Sequence, residues 1–198
     1  EHPLAYALQL AIAQEFGLRD KYEALLQFLG EMEKSSAKGK KRKSFIPQRD
    51  TSNIRKEVAL LYHTFKPILH AIVREIYDQT QDFLAKSGLK RLRLVRGVGF
   101  PVGKTKGLPK EGEGLKLIAP PFFPASAWTI DGDVARGFAE LREKYFDEVG
   151  FIYYIEIPKS AFPCILATAL TGLGCPNNYE VVLMLPEGQQ VWAARYSE

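Results

Sequence analysis

Glu180 stands at the head of the apolar run Val181-Val182-Leu183-Met184-Leu185-Pro186, so its carboxylate is expected at the mouth of a buried strand. A catalytic acid would sit there, where a carboxylate can steady a developing positive charge. Two upstream segments carry groups that would complement it. Leu94-Val95-Arg96-Gly97-Val98-Gly99 supplies a guanidinium, whose planar fork grips phosphate through two parallel bonds in a way that lysine cannot. Ala125-Ser126-Ala127-Trp128-Thr129 supplies hydroxyls that can donate to a carboxylate while accepting from ribose. Each group also has an ordinary alternative. Arg96 could be a surface arginine paired with a neighbouring acid, Gly97 and Gly99 simple turn residues, and Thr129 with Asp131 the cap of a following helix.

Arginine, serine strand and glutamate, in that order, resemble the mono-ADP-ribosyltransferases of the arginine-serine-glutamate class. The resemblance covers about half the chain, from Leu92 to Tyr196, and takes in the Ala135-x-x-Phe138-Ala139 helix and the Pro186-x-Gly188 turn. It implies an α+β fold with N-terminal helices packed on a split, mostly antiparallel β-sandwich. It implies an enzyme that cleaves the bond between nicotinamide and ribose in NAD+ and transfers ADP-ribose to a macromolecule, as toxins and effectors of the class do. Arg96 would hold the pyrophosphate, Gly97 the nicotinamide carboxamide through its main chain, and Ser126 and Thr129 the ribose pocket, while Glu180 would stabilise the oxocarbenium ion. This chain has Ser-Ala-Trp-Thr where the family often has Ser-Thr-Ser, so the hydroxyl that orients Glu180 is either Ser126 or Thr129. Asn178 occupies the acceptor-positioning place; an amide there disfavours arginine as the modified residue. NAD+ is the only cofactor implied, as a substrate, and no metal is needed because nicotinamide leaves from a cationic precursor.

The elements that must position these groups change rhythm along the chain. Leu4, Leu8, Ala11, Ile12 and Phe16, then Tyr22, Leu25, Leu26 and Leu29, recur at helical spacing on either side of Gly17, which predicts a helical hairpin over 3–30. Val58, Leu61, Tyr62, Phe65, Leu69, Val73 and Ile76 predict a long helix ending near Gly88, either continuous or broken at Pro67. Strands are expected around Leu92–Leu94, 115–119, 151–157, 179–185 and 190–196, with a glycine- and proline-rich loop from Gly99 to Gly114 and a helix from Asp131 to Phe146. The loop over 162–177 would face the acceptor, although Ile165, Leu166 and Leu170 could equally pack as a helix. The natural division is a helical hairpin with its basic loop at 1–50 and a catalytic domain at 51–198.

The 198 residues, 46% hydrophobic and 25% charged, suffice for one proper core. No apolar stretch approaches the roughly 18 residues that span a bilayer, so a soluble protein acting in the cytoplasm is expected. The start at Glu1 leaves room for an upstream domain or leader. Residues 34–49 hold seven Lys and Arg and no acid, against a net charge of +4, so the rest of the chain stands at −3. Lys40, Lys41, Arg42 and Lys43 could neutralise phosphates of RNA or DNA, which tilts the acceptor toward nucleic acid. A protein acceptor is the alternative, and a basic nucleic-acid-binding module without turnover a second. A toxin made inside its own cell would also need an inhibitory antitoxin or immunity protein. Cys164 and Cys175 are read as reduced.

Overall fold

The computed structural model describes residues 3–37, 52–120, 126–167, 179–185 and 188–196. Lys40, Lys41, Arg42, Lys43 and Asn178 lie outside them, as do Phe123 and Cys175. The described chain is α+β and divides into two compact units, one of helices and one built on an antiparallel sheet.

In the helical unit, α1 (Pro3–Glu15) and α2 (Arg19–Ala37) form the expected hairpin, turned by Gly17 at φ 66. Helix α2 runs a full two turns past the predicted end and keeps Lys34 in its last turn. Helix α3 (Ile54–Lys86) is continuous through Pro67. Its buried stripe Ile54, Val58, Tyr62, Leu69, Val73 and Ile76 recurs at steps of three, four and seven residues, all on one helical face, so tertiary burial outweighs the one donor that proline removes. The last turns of α3 belong to the sheet unit. There the buried Thr80 hydroxyl accepts from the Ala167 amide at 3.0 Å, and Gln81 donates to the Phe162 and Ile165 carbonyls, both at 3.1 Å.

The sheet unit contains β1 (Arg91–Pro101), β2 (Lys116–Ile118), β3 (Ser126–Thr129), α4 (Gly132–Phe146), β4 (Glu148–Pro158), β5 (Ile165–Leu166), β6 (Glu180–Leu183) and β7 (Val191–Arg195). They form one seven-stranded sheet in the order β2-β7-β4-β1-β3-β6-β5, with every pair antiparallel. Pairing is uneven. β1 and β4 match over eleven residues, whereas β1 and β3 share the single pair Val95 and Thr129. The sheet is therefore nearly parted between β1 and β3.

One face carries the core, where Leu94, Trp128, Phe151, Tyr153, Ile155, Val181 and Leu183 pack together. The other face receives α4. β1 continues through Gly97 and Gly99, which corrects both the predicted loop from Gly99 and the turn reading of these glycines. A Cβ on Gly97 would collide with the Ala135 carbonyl oxygen and lie 2.8 Å from the Ala139 amide, so the glycine is a seat for the helix backbone. Ala135 and Ala139 are accordingly the buried residues of α4, while Phe138, Leu141 and Tyr145 remain substantially exposed. Ile165 and Leu166 form a strand rather than a helix.

Candidate active site

The three segments singled out by chemistry lie on three consecutive strands. Arg96 is on β1, Ser126 and Thr129 are on β3, and Glu180 opens β6. Glu180 is the registered partner of Thr129, which is in turn the partner of Val95. Tyr179, at φ 46, turns the chain through the left-handed region just before Glu180 enters the strand.

Because successive strand side chains alternate between faces, this register sorts the groups. Val95, Thr129 and Glu180 share the face that carries α4. Arg96, paired with Tyr153, and Ser126, paired with Leu183, belong to the core face. Two strand spacings, about 10 Å, separate the backbones of Arg96 and Glu180. The guanidinium and the carboxylate are thus neighbours in the sheet whose side chains leave it on opposite sides.

The gap between β1 and β3 is where the two sides come nearest. Beyond the Val95–Thr129 pair the ladder stops, and Arg96 Nη1 donates to the Ala127 carbonyl of β3 at 3.1 Å. A side chain therefore takes the place of a missing main-chain bond. Tyr153 lies beside it, 2% exposed; burial pushes its hydroxyl well above the usual phenol value, and the Arg96 charge draws it partly back. Thr129 Oγ1 accepts from the Asp131 amide at 3.0 Å, and Asp131 caps α4 by accepting from the Asp133 and Val134 amides. The hydroxyl thus joins the capping turn, and its residue is the registered partner of Glu180. Ser126 is buried, 1% exposed.

Among the aromatic residues of these strands, Trp128 and Tyr153 are core, whereas Tyr154 is half-buried on the face that carries α4. Sequence reasoning did not find Trp192, 44% exposed on β7, or the basic cluster at the start of β1. Strand alternation was legible there, but the register that brings these residues into line with Glu180 was not. It also missed a relay in the helical unit, in which His70 bridges Tyr62 (3.3 Å) and Glu15 (2.6 Å) while Arg74 bonds the same carboxylate. That unit holds a cavity of about 490 Å³ bordered by Tyr22, Arg55, Tyr62 and His63, none of them in the motif strands.

Among the described residues no three His, Cys, Asp or Glu gather as metal ligands, and no helix is long and apolar enough to cross a membrane. Cys164 is a half-buried thiol whose acidity burial suppresses. No known protein family, no curated protein and no solved structure matches the chain.

Proposed function

We propose that the chain is an NAD+-dependent mono-ADP-ribosyltransferase acting on a macromolecule, with nucleic acid the favoured acceptor. The observation that carries this reading is the adjacency of β1, β3 and β6, which sets Thr129 beside Glu180 next to the strand of Arg96. The near-parting of the sheet between β1 and β3 supports its being a split β-sandwich of ADP-ribosyltransferase type, with the opening at Arg96 as the dinucleotide cleft. In that cleft Glu180 bonds the ribose 2′-hydroxyl and stabilises the positive charge that grows as nicotinamide departs. The Thr129 hydroxyl keeps the carboxylate aimed, and Arg96 faces phosphate from the far lip. Asn178 and the Lys40–Lys43 segment retain their acceptor roles in this proposal, as does an inhibitory partner if the protein is a toxin acting in a cytoplasm.

The register favours one competing reading, a basic binding module without turnover. Strict alternation directs Arg96 and Glu180 to opposite faces, and a ligand confined to one face would meet only one of them. Nicotinamide release decides between the two. Purified protein incubated with labelled NAD+ and cell lysate is expected to release nicotinamide and label material that nuclease solubilises. Glu180→Gln should cut transfer by about 100- to 1,000-fold with NAD+ affinity retained. Equal release by parent and variant would reject the enzyme assignment, and label freed by protease alone would move the acceptor to protein.

A further inference from the structure

We infer that the sheet face outside α4 is a binding platform for single-stranded nucleic acid, separate from the Lys40–Lys43 segment. Five registered pairs make one unbroken row on that face: Leu117 beside Trp192, Trp192 beside Tyr154, Tyr154 beside Val95, Val95 beside Thr129, and Thr129 beside Glu180. Helix α4 is seated on the neighbouring row, at Gly97. The Trp192 and Leu117 side chains stay open to solvent, each 44% exposed. An indole and a phenol side by side on a sheet offer flat apolar surfaces on which any base can stack.

Charge selects the partner. Lys90, Arg91, Arg93 and Lys159 are exposed at the end of the sheet where β1 begins and β4 ends, and the Lys159 amide donates to the Lys90 carbonyl. Both arginines bond one acid, Glu156, at 2.8 and 3.1 Å, so two of these four cations share a single carboxylate. Tyr154 and Arg93 lie on the same strand face, on the paired strands β4 and β1. Stacking faces rimmed by excess positive charge match a polymer of bases and phosphates, and they match an extended strand better than a duplex, whose bases are already stacked. The row runs four strand spacings, about 19 Å, from Trp192 to Glu180, which is the reach of a few nucleotides. Only this last step rests on the proposed transfer chemistry: a strand bound along the row leads to the acid. Binding itself needs no NAD+.

The test is titration of the full chain with short fluorescent oligothymidylate and oligouridylate at low salt, without NAD+. Both should bind and quench tryptophan emission, because stacking and phosphate contacts are common to the two polymers. Trp192→Ala and Tyr154→Ala should each weaken binding by roughly 5- to 150-fold. Trp192→Phe should keep the affinity yet lose most of the quench, because the remaining indole, Trp128, is 2% exposed. Replacing Lys90 and Lys159 together by Ser should reduce the logarithmic salt slope by roughly 1.4, at about 0.7 per phosphate on a single strand. Unchanged affinity in both alanine variants, equal affinity for the matching duplex, or no binding at all overturns the platform. So does a loss confined to replacement of Lys40–Lys43 by Ser. Nicotinamide release by Trp192→Ala, measured without acceptor, should equal the parent rate, so a failure of the chemistry and a failure of the platform give different signals.

Discussion

The two hydroxyls of β3 are equivalent in sequence and unequal in the sheet. Thr129 is the registered partner of Glu180, whereas Ser126 pairs with Leu183 on the core face. If a hydroxyl orients the acid, it is Thr129. Thr129→Val is therefore expected to lower nicotinamide release by about 10- to 100-fold, the cost of one or two preorganised bonds, with Ser126→Ala the milder change. Loss of the bond from the Asp131 amide adds about 1 kcal/mol of instability to the Val variant, so rates need to be compared well below its melting temperature. Arg96 poses the opposite question, since its guanidinium already donates to the Ala127 carbonyl of the next strand. Arg96→Lys should raise the NAD+ dissociation constant about tenfold in calorimetric titration, because an ammonium cannot serve backbone and phosphate in that forked geometry. A lower melting temperature with unaltered affinity would leave Arg96 a strand clasp and nothing more.

Among the elements, α4 depends on what β1 lacks. Gly97→Ala should destabilise by about 1–3 kcal/mol or more, since its new methyl meets helix backbone, which cannot swing aside as a side chain can. Gly137, within α4, has open space at the corresponding position, so Gly137→Ala should stabilise by about 0.5–1 kcal/mol. Urea denaturation of the two variants reads both signs, and a common sign would refute this packing account. The same pair marks where sequence was informative. The helical hairpin, the continuous helix, the Asp131 cap and most strand positions follow from local periodicity and capping, which are properties of neighbouring residues. The turn alternative for Gly97 fell because a strand glycine and a turn glycine differ only in what packs against them. The order of the strands and their register, which settles the face each side chain takes, leave no local trace in sequence.

For the molecule as a whole, acid should loosen both units, each through one carboxylate. In the helical unit Glu15 is held below its ordinary value of 4.5, first by the hydrogen bond from Arg74 and next by that from His70. In the sheet unit Glu156 is lowered, chiefly by Arg93. A carboxylate whose folded value lies below its unfolded one stabilises fully above the unfolded value and loses that contribution as pH falls through the folded one. Stability should therefore hold near neutrality and decline from about pH 5 toward pH 3. Glu15 is the more telling group, since its side chain is 14% exposed and bonded by both Arg74 and His70, whereas the Glu156 pairs are surface contacts of small individual worth. Glu15→Gln should lower stability at pH 7 and flatten the acid decline in thermal melts followed by far-ultraviolet circular dichroism, because the amide has no proton to gain. Glu156→Gln should change that profile much less. Acid profiles of parent and Glu15→Gln that run parallel would show that the relay from Tyr62 through His70 to Glu15 carries no pH-dependent stability.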